Sequence, residues 1–290
     1  MTKITKAVIP CGGMGTRFLP ITKTLPKEML PIIDTPVLSY IVEEAIDSGI
    51  TDVLLIINRK KMDIRKYFSP DPALEEHLLK AGKTEYLERV KRIHERANIS
   101  FAFQEEPKGS ADAVYKAKSF TGDESFCLSW GDDLICAETP VMKQLTSVYE
   151  EGMQAIVGVQ RIDSDDIVKY GVADVKHSDG RLHNLSSIVE KPKLSEIPSR
   201  LASLGRYVLS SDIYKAIENT KPGVGGELQF TDSVKSICGN GKVYAYEFEG
   251  KRYDMGDKLG AVKAITEFAL KSDEFGAKYR EYLIELVKSL

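Results

Sequence analysis

The chain predicts an α/β fold in which helices flank a mixed, mostly parallel sheet, closed by a helical C-terminal tail. Three observations carry that expectation. Lys6 to Pro10 is a short apolar run that stops at glycines and reads as a strand feeding a loop. Pro36 to Gly49 places Leu38, Ile41, Val42, Ala45 and Ile46 on one helical face, with Gly49 as a C-terminal stop. Asp52 to Ile57, DVLLII, is continuously apolar, as a strand covered on both faces is. Strand, helix, strand is the parallel crossover unit.

The alternation continues along the chain. A long polar helical region is expected from about Met62 to Arg96, then a strand from Ile99, a helix after Gly109 and a strand from Ser125. Gln154 to Gln160 repeats the strand pattern, and VADVKHSDGRLHNL reads as a hairpin turning at Asp179-Gly180. Asp257 to Leu290 closes the chain with helical sequence. Without repeats, low-complexity tracts or a linker-like stretch, residues 1–290 read as a single domain.

The chain has 290 residues, 42% hydrophobic and 29% charged, which is the composition of a soluble globular protein. Its formal net charge of -3 excludes the broad basic face that non-specific nucleic-acid binding needs. Cys11, Cys127, Cys136 and Cys238 show no C-x-x-C spacing and read as free thiols of a reducing cytosol. No apolar run is long enough for a signal sequence or a membrane span, so a cytoplasmic protein without membrane contact is expected.

Against this mildly acidic background, PCGGMGTRFLPITKTLPKEMLP from Pro10 to Pro31 carries Arg17, Lys23 and Lys27 with one acid, Glu28. Gly12, Gly13 and Gly15 allow backbone N–H groups to approach an anion, with the start of a following helix adding its dipole. The spacing fits neither G-x-x-x-x-G-K-[ST] nor G-x-G-x-x-G, because Thr16 and Arg17 follow Gly15 and Phe18 stands where a third glycine belongs. A tight surface turn is the alternative, and the nearby cations favour a phosphate ligand over it.

Gly131-Asp132-Asp133 follows another apolar strand, so both loops are expected at the same crevice beyond the strand ends. A carboxylate there suits Mg²⁺ shared with phosphate, or is simply a solvated turn. Asp254, in RYDMGD, is a second candidate ligand, and Glu190-Lys191-Pro192 offers a cation beside a stiffening proline. His77, His94, His177 and His183 show no metal-ligand spacing, and no G-x-S-x-G elbow supports serine hydrolysis.

KAVIPCGGMGTRFLP, LPKEMLPI, YIVEEAIDSGI, GDD, VEKPK, GRYVLS, ENTKPGVGGELQFTD and FEGKRYDMGDKLG together resemble the bacterial UDP-glucose pyrophosphorylases, in the family's order over nearly the whole chain. The resemblance implies a Rossmann-like nucleotidyltransferase α/β/α sandwich. It implies a nucleotide part over about 1–135, a sugar-phosphate part over about 136–256 and a helical tail over about 257–290. Cys11, Gly12, Gly13, Glu28, Gln104, Gly109 and Ser110 are then expected around the base. Gly15, Thr16, Arg17 and Lys27 are expected on the triphosphate. Asp132 looks like the Mg²⁺ ligand, with Asp254 as a second. Lys191 looks like the residue that holds the phosphate of glucose 1-phosphate, with Glu190, Gly171, Gly205 and Glu227 around the sugar.

The implied reaction is uridylyl transfer from UTP to glucose 1-phosphate with release of pyrophosphate, catalysed by Arg17, Lys27, Asp132 and Lys191 in a homodimer or homotetramer. One segment departs from the family: KGSADAV at Lys108 to Val114 stands where relatives usually read LGLGHAV. Ser110-Ala111-Asp112 is closer to the G-T-A-D-A loop of ADP-glucose pyrophosphorylases, which leaves dTTP and ATP as alternatives to UTP. A silent nucleotide-sugar-binding protein would be expected to lack Asp132, Arg17 or Lys191, and all three are present. The missing third glycine speaks against a dinucleotide-dependent dehydrogenase.

Overall fold

In the computed structural model, which describes residues 3–290 apart from the Val224 side chain, each apolar run expected to be a strand is one. The first part of the chain folds as β1 (Lys6–Pro10), β2 (Pro31–Ile32), β3 (Thr35–Pro36), α1 (Val37–Asp47) and β4 (Asp52–Ile57). It continues through α2 (Met62–Tyr67), α3 (Pro72–Lys80), α4 (Thr84–Lys91), β5 (Asn98–Phe103), α5 (Ser110–Tyr115) and α6 (Lys118–Thr121) to β6 (Phe126–Ser129). Next come β7 (Asp133–Cys136), α7 (Val141–Ser147), β8 (Ala155–Arg161), β9 (Gly171–Asp179), β10 (Leu182–Glu190) and β11 (Leu201–Leu209). Last are α8 (Asp212–Asn219), α9 (Phe230–Ile237), β12 (Val243–Glu247), β13 (Lys251–Asp254), α10 (Lys258–Leu270) and α11 (Gly276–Lys288).

A nine-stranded sheet runs in the order β5-β4-β1-β6-β11-β8-β12-β10-β9. The pairs among β5, β4, β1 and β6 are parallel, as is β8 with β12, and β11 and β10 run against the rest. Alternate residues of each central strand feed opposite cores. Ala7, Ile9, Val53 and Leu55 pack with α1 and α7, whereas Val8, Leu54 and Ile56 pack with α5, α8 and α9. Burial on both faces explains why DVLLII shows no alternation in sequence.

Two expectations are corrected. The long helical region is broken into α2, α3 and α4. Pro70 and Pro72 interrupt it, and Asp71 restarts it by accepting a hydrogen bond from Leu74 N at 3.1 Å. Gly82, at φ +67°, then ends α3. The β9–β10 turn lies one residue later than expected: Asp179 pairs with Leu182, so the two loop residues are Gly180 and Arg181. Gly180 takes φ +56° at the first loop position, where a II′-type turn calls for glycine.

Beneath the strand ends, Arg206 of β11 is fully buried and grips Glu44 of α1, with Nε to Oε1 at 3.0 Å and Nη2 to Oε2 at 2.6 Å. Its Nη2 also donates to the Asp133 carbonyl at 2.8 Å, and Nη1 donates to that of Gly205 at 3.2 Å. Glu44 further accepts from Met142 N at 3.2 Å, so one ion pair joins α1, β7, α7 and β11. Truncating one partner strands the other charge in the core. Arg206→Ala is therefore expected to lower stability by about 3–5 kcal/mol, read from urea unfolding. The double variant Arg206→Met with Glu44→Leu should recover most of that loss.

Candidate active site

The chain leaves β1 at the carboxyl end of the sheet and turns through residues 11–15 beside the loop that follows β6. Gly131 N–H donates to Pro10 O at 3.3 Å, and a Cβ on Gly131 would sit 2.9 Å from Cys11 Sγ. Only a residue without a side chain lets the two loops close this far. The expected helix after the loop is a single 3₁₀ turn, Thr16–Phe18, too short to supply a dipole. Positive charge here comes from side chains instead.

Lys61, which the sequence did not single out, holds the loop from below. Its buried ammonium donates to Cys11 O and Gly13 O, both at 2.6 Å, and to the Glu28 carboxylate at 2.8 and 2.7 Å. Two residues expected at the base have partners within the protein. Glu28 is 1% exposed with both oxygens taken by Lys61. Cys11 N is bonded to Ile56 O at 2.7 Å, its carbonyl is taken by Lys61, and its thiol is buried and pushed up by burial. The only local mark of Lys61 is its place in RKK, where nothing distinguishes the buried lysine from its two neighbours.

Above the loop, Lys27 forms a short ion pair with Asp132. Burial opposes both charges, yet each wins back more from the other: the Asp132 carboxyl is held below the ordinary range and the Lys27 ammonium above it. Lys27 Nζ also lies 3.2 Å from where a Gly13 Cβ would be, so a fixed positive charge borders the glycine backbone. Asp133 turns away to Arg252, whose Nε donates to Oδ1 at 2.8 Å. Burial pushes the Asp133 carboxyl up despite Arg252, and Asp132 adds to the rise. Gly205, at φ +72° in β11, leaves room for this carboxylate, because a Cβ would sit 3.0 Å from Asp133 Cγ. Gly205 thus shapes the wall behind Asp133.

Asp254 ends β13, whose pairing with β7 sets it opposite Asp133. A Cβ on Gly256 would lie 3.1 Å from Asp254 Oδ1, 3.3 Å from Asp132 Oδ2 and 3.6 Å from an Arg17 guanidinium nitrogen. Arg17 itself donates to Gly256 O at 3.2 Å. Sequence positions 17, 132 and 254 are therefore neighbours. Among the described residues no three Asp, Glu, His or Cys side chains form a closed metal cage. Two carboxylates short of a full shell fit Mg²⁺, whose remaining ligands are commonly water and substrate phosphate.

On the other side of Gly12, Gln104 is buried, and its Oε1 would touch a Gly12 Cβ at 2.7 Å. Gln104 Nε2 donates to Gly109 O at 3.2 Å and to Asp112 Oδ2 at 2.7 Å. Gly109 takes φ +125° because the backbone of Leu228 passes against it, 2.5 Å from where a Cβ would stand. Leu228 N donates to Lys108 O and Ala111 N donates to Leu228 O, both at 2.9 Å. The Ser110 hydroxyl accepts from Phe230 N at 2.9 Å.

Farther along the crevice, Lys191 adopts φ +44°, a rare conformation for a residue with a side chain, and its ammonium lies 3.3 Å from Glu190 Oε1. Thr231 donates to Glu190 Oε2 at 2.7 Å, and a Cβ on Gly171 would press that oxygen at 3.3 Å. Glu227 is exposed just before Leu228, and its carboxylate meets Gln229 Nε2 at 3.4 Å.

A family model described as Nucleotidyl transferase matches residues 6–271. The chain is 43% identical over 290 residues to a Bacillus subtilis (strain 168) protein named UTP--glucose-1-phosphate uridylyltransferase, covering 100% of this chain and 98% of that protein. Among solved structures, UTP-bound UGPase from Acinetobacter baumannii superposes with a TM-score of 0.90 at 32% identity, over 98% of this chain and 100% of that one. A UDP-glucose pyrophosphorylase complexed with UDP-glucose gives 0.86 at 34% identity, over 93% and 100%.

The latch at Gly109 can be tested without substrate. Alanine there meets both Leu228 and an unfavourable φ, a strain on the order of 1–3 kcal/mol. In Gly109→Ala, exchange of the Ala111 and Leu228 amide hydrogens is expected to quicken by about tenfold or more, while amides of β1 and β4 keep their protection.

Proposed function

This chain belongs to the nucleotidyl transferase family, and we propose that it transfers a uridylyl group from UTP to glucose 1-phosphate, giving UDP-glucose and pyrophosphate. The observation that carries the reading is the meeting of Arg17, Lys27, Asp132 and Asp254 beside the glycine loop at the strand ends. Relatives named for this activity match the chain from end to end.

An oxygen of the sugar phosphate forms a bond to the α-phosphorus of UTP. The bond from that phosphorus to the bridging oxygen breaks, and its electron pair leaves with pyrophosphate. Two anions must approach, so the protein's task is neutralisation and alignment. Gly12, Gly13, Gly15 and Thr16 give a backbone surface for the nucleotide, with Gln104 and Gly109 beside the base. Arg17 and Lys27 draw negative charge toward the leaving group. Lys27 suits this because its partner Asp132 keeps it protonated.

Lys191 steadies the phosphate of glucose 1-phosphate, held in its unusual backbone shape between Glu190 and Pro192. Glu190, Gly171 and Glu227 border the sugar, while Gly205 acts through Asp133. Asp132 and Asp254 would hold Mg²⁺. When bound, that ion supplies positive charge where the two phosphates meet. Cys11, Glu28 and Ser110 belong to the scaffold of the nucleotide loops.

We assign the reaction to the cytoplasm on the four free cysteines. Among the described residues, no helix is long and apolar enough to cross a membrane. Exposed Leu259 and Val262 on α10, with Ile284 and Val287 on α11, support a homodimer or homotetramer.

Pyrophosphate release with glucose 1-phosphate and Mg²⁺ should be strongest with UTP among UTP, dTTP, ATP, CTP and GTP. Preference for another base would keep the chemistry and overturn the assignment, and silence with all five would overturn both. Chelation by EDTA is expected to abolish turnover, with recovery on adding Mg²⁺. Lys191→Ala should lower kcat by roughly 10²-fold or more, as loss of a preorganised charge does, and a near-native rate would remove Lys191 from the proposed mechanism.

A further inference from the structure

A glutamine side chain near a base is ambiguous, because its amide offers a carbonyl oxygen one way and an NH₂ group the other. Here the surroundings remove the ambiguity. A carboxylate only accepts, so Asp112 Oδ2, 2.7 Å from the Gln104 amide, fixes the NH₂ group on its own side. Gly109 O, 3.2 Å away, takes the second hydrogen. The remaining atom, Oε1, faces Gly12, where the first nucleotide loop passes. Lys116, one helical turn along α5, pairs with the other Asp112 oxygen at 3.2 Å and holds that carboxylate in place.

We propose that Asp112 is the positioning residue that makes this site specific for a base with a ring N–H, by locking Gln104 with its carbonyl oxygen toward the nucleotide. The inference rests on the uridylyltransferase reading and deepens it. Uracil and thymine present an N3–H donor that this oxygen accepts. Cytosine has nearly the same shape but presents a lone pair at N3, which would face another lone pair. Its exocyclic amine lies where uracil carries O4, so it offers no substitute in that position. In this chain the lock on Gln104 comes from the same segment, Ser110 to Asp112, that departs from the family.

An isosteric change gives a signed test. In Asp112→Asn, the amide oxygen is drawn to the Lys116 ammonium, which leaves NH₂ facing Gln104. Gln104 must then turn, and it presents a donor toward Gly12. Steady-state kcat/KM would be measured with UTP and with CTP, alongside thermal unfolding, for wild type, Asp112→Asn and Asp112→Ala.

Wild type should prefer UTP by about a hundredfold or more, as sites with a mismatched buried polar group discriminate. In Asp112→Asn the UTP to CTP ratio should fall by at least about tenfold, through a gain with CTP as well as a loss with UTP. Asp112→Ala should show a smaller fall, because Gly109 O still favours the native orientation. A purely structural role lowers both nucleotides together and leaves the ratio unchanged, and that result in either folded variant overturns the proposal. Should wild type itself use no pyrimidine triphosphate, the uridylyltransferase reading fails first.

Discussion

Arg206 has no route to solvent, so its guanidinium nitrogens must find acceptors inside the protein. It finds them in the Glu44 carboxylate and in the carbonyls of Gly205 and Asp133. Those bonds tie α1 to the sheet beside the bulge in β11, between Ser203 and Tyr207, and beside the turn between β6 and β7. The bulge brings Gly205 against Asp133, and the turn delivers Asp132 to Lys27. A charge buried at such cost in desolvation sets the frame from which Asp132 and Asp133 project.

Three aspartates crowd these strand ends, and their mutual repulsion must be cancelled before any phosphate arrives. The protein divides the work by carboxylate. Asp133 is matched to Arg252 and faces the scaffold, whereas Asp132 is matched to Lys27 and faces the glycine loop. Asp254 lies 3.6 Å from Arg252 and accepts from Tyr170 at 3.4 Å. Asp132 and Asp254 are the two carboxylates that meet beside Gly256, and the residue number that separates them, more than a hundred positions, has no bearing on it. The antiparallel pairing of β13 with β7 performs that juxtaposition.

How much of this could be read in advance follows from the range of each interaction. Apolar periodicity is local, so β1, α1 and β4 were legible to within a residue or two, and the glycine loop announced itself by composition. Arg17, Lys27, Asp132 and Asp254 were legible as chemical types at strand ends, with the family resemblance joining them into one site. Lys61 was not, because its burial depends on carbonyls at Cys11 and Gly13, brought to it by the fold. The Glu28 contact to Lys61 was hidden for the same reason, since it too depends on the fold bringing the two together. The expected helix after Gly15 is cut short by proline, since Pro20 follows Thr16–Phe18 within two residues and Pro26 stops the next turn, Ile21–Lys23.

The segment around Leu228 shows what the loop chemistry accomplishes beyond binding. Its backbone is bonded on both sides of Gly109, and Ser110 accepts from Phe230 two residues on. Thr231, the next residue, donates to Glu190. Hydrogen bonds therefore tie the backbone segment 228–231 to the loop beside Gln104 at one end and to Glu190, the neighbour of Lys191, at the other. A shift at the base loop must displace Leu228 or break its two bonds, and α9 carries the displacement to Glu190. In the proposed displacement, where a few tenths of an ångström between nucleophile and phosphorus weigh heavily on rate, such a strut would hold the two substrate halves in register.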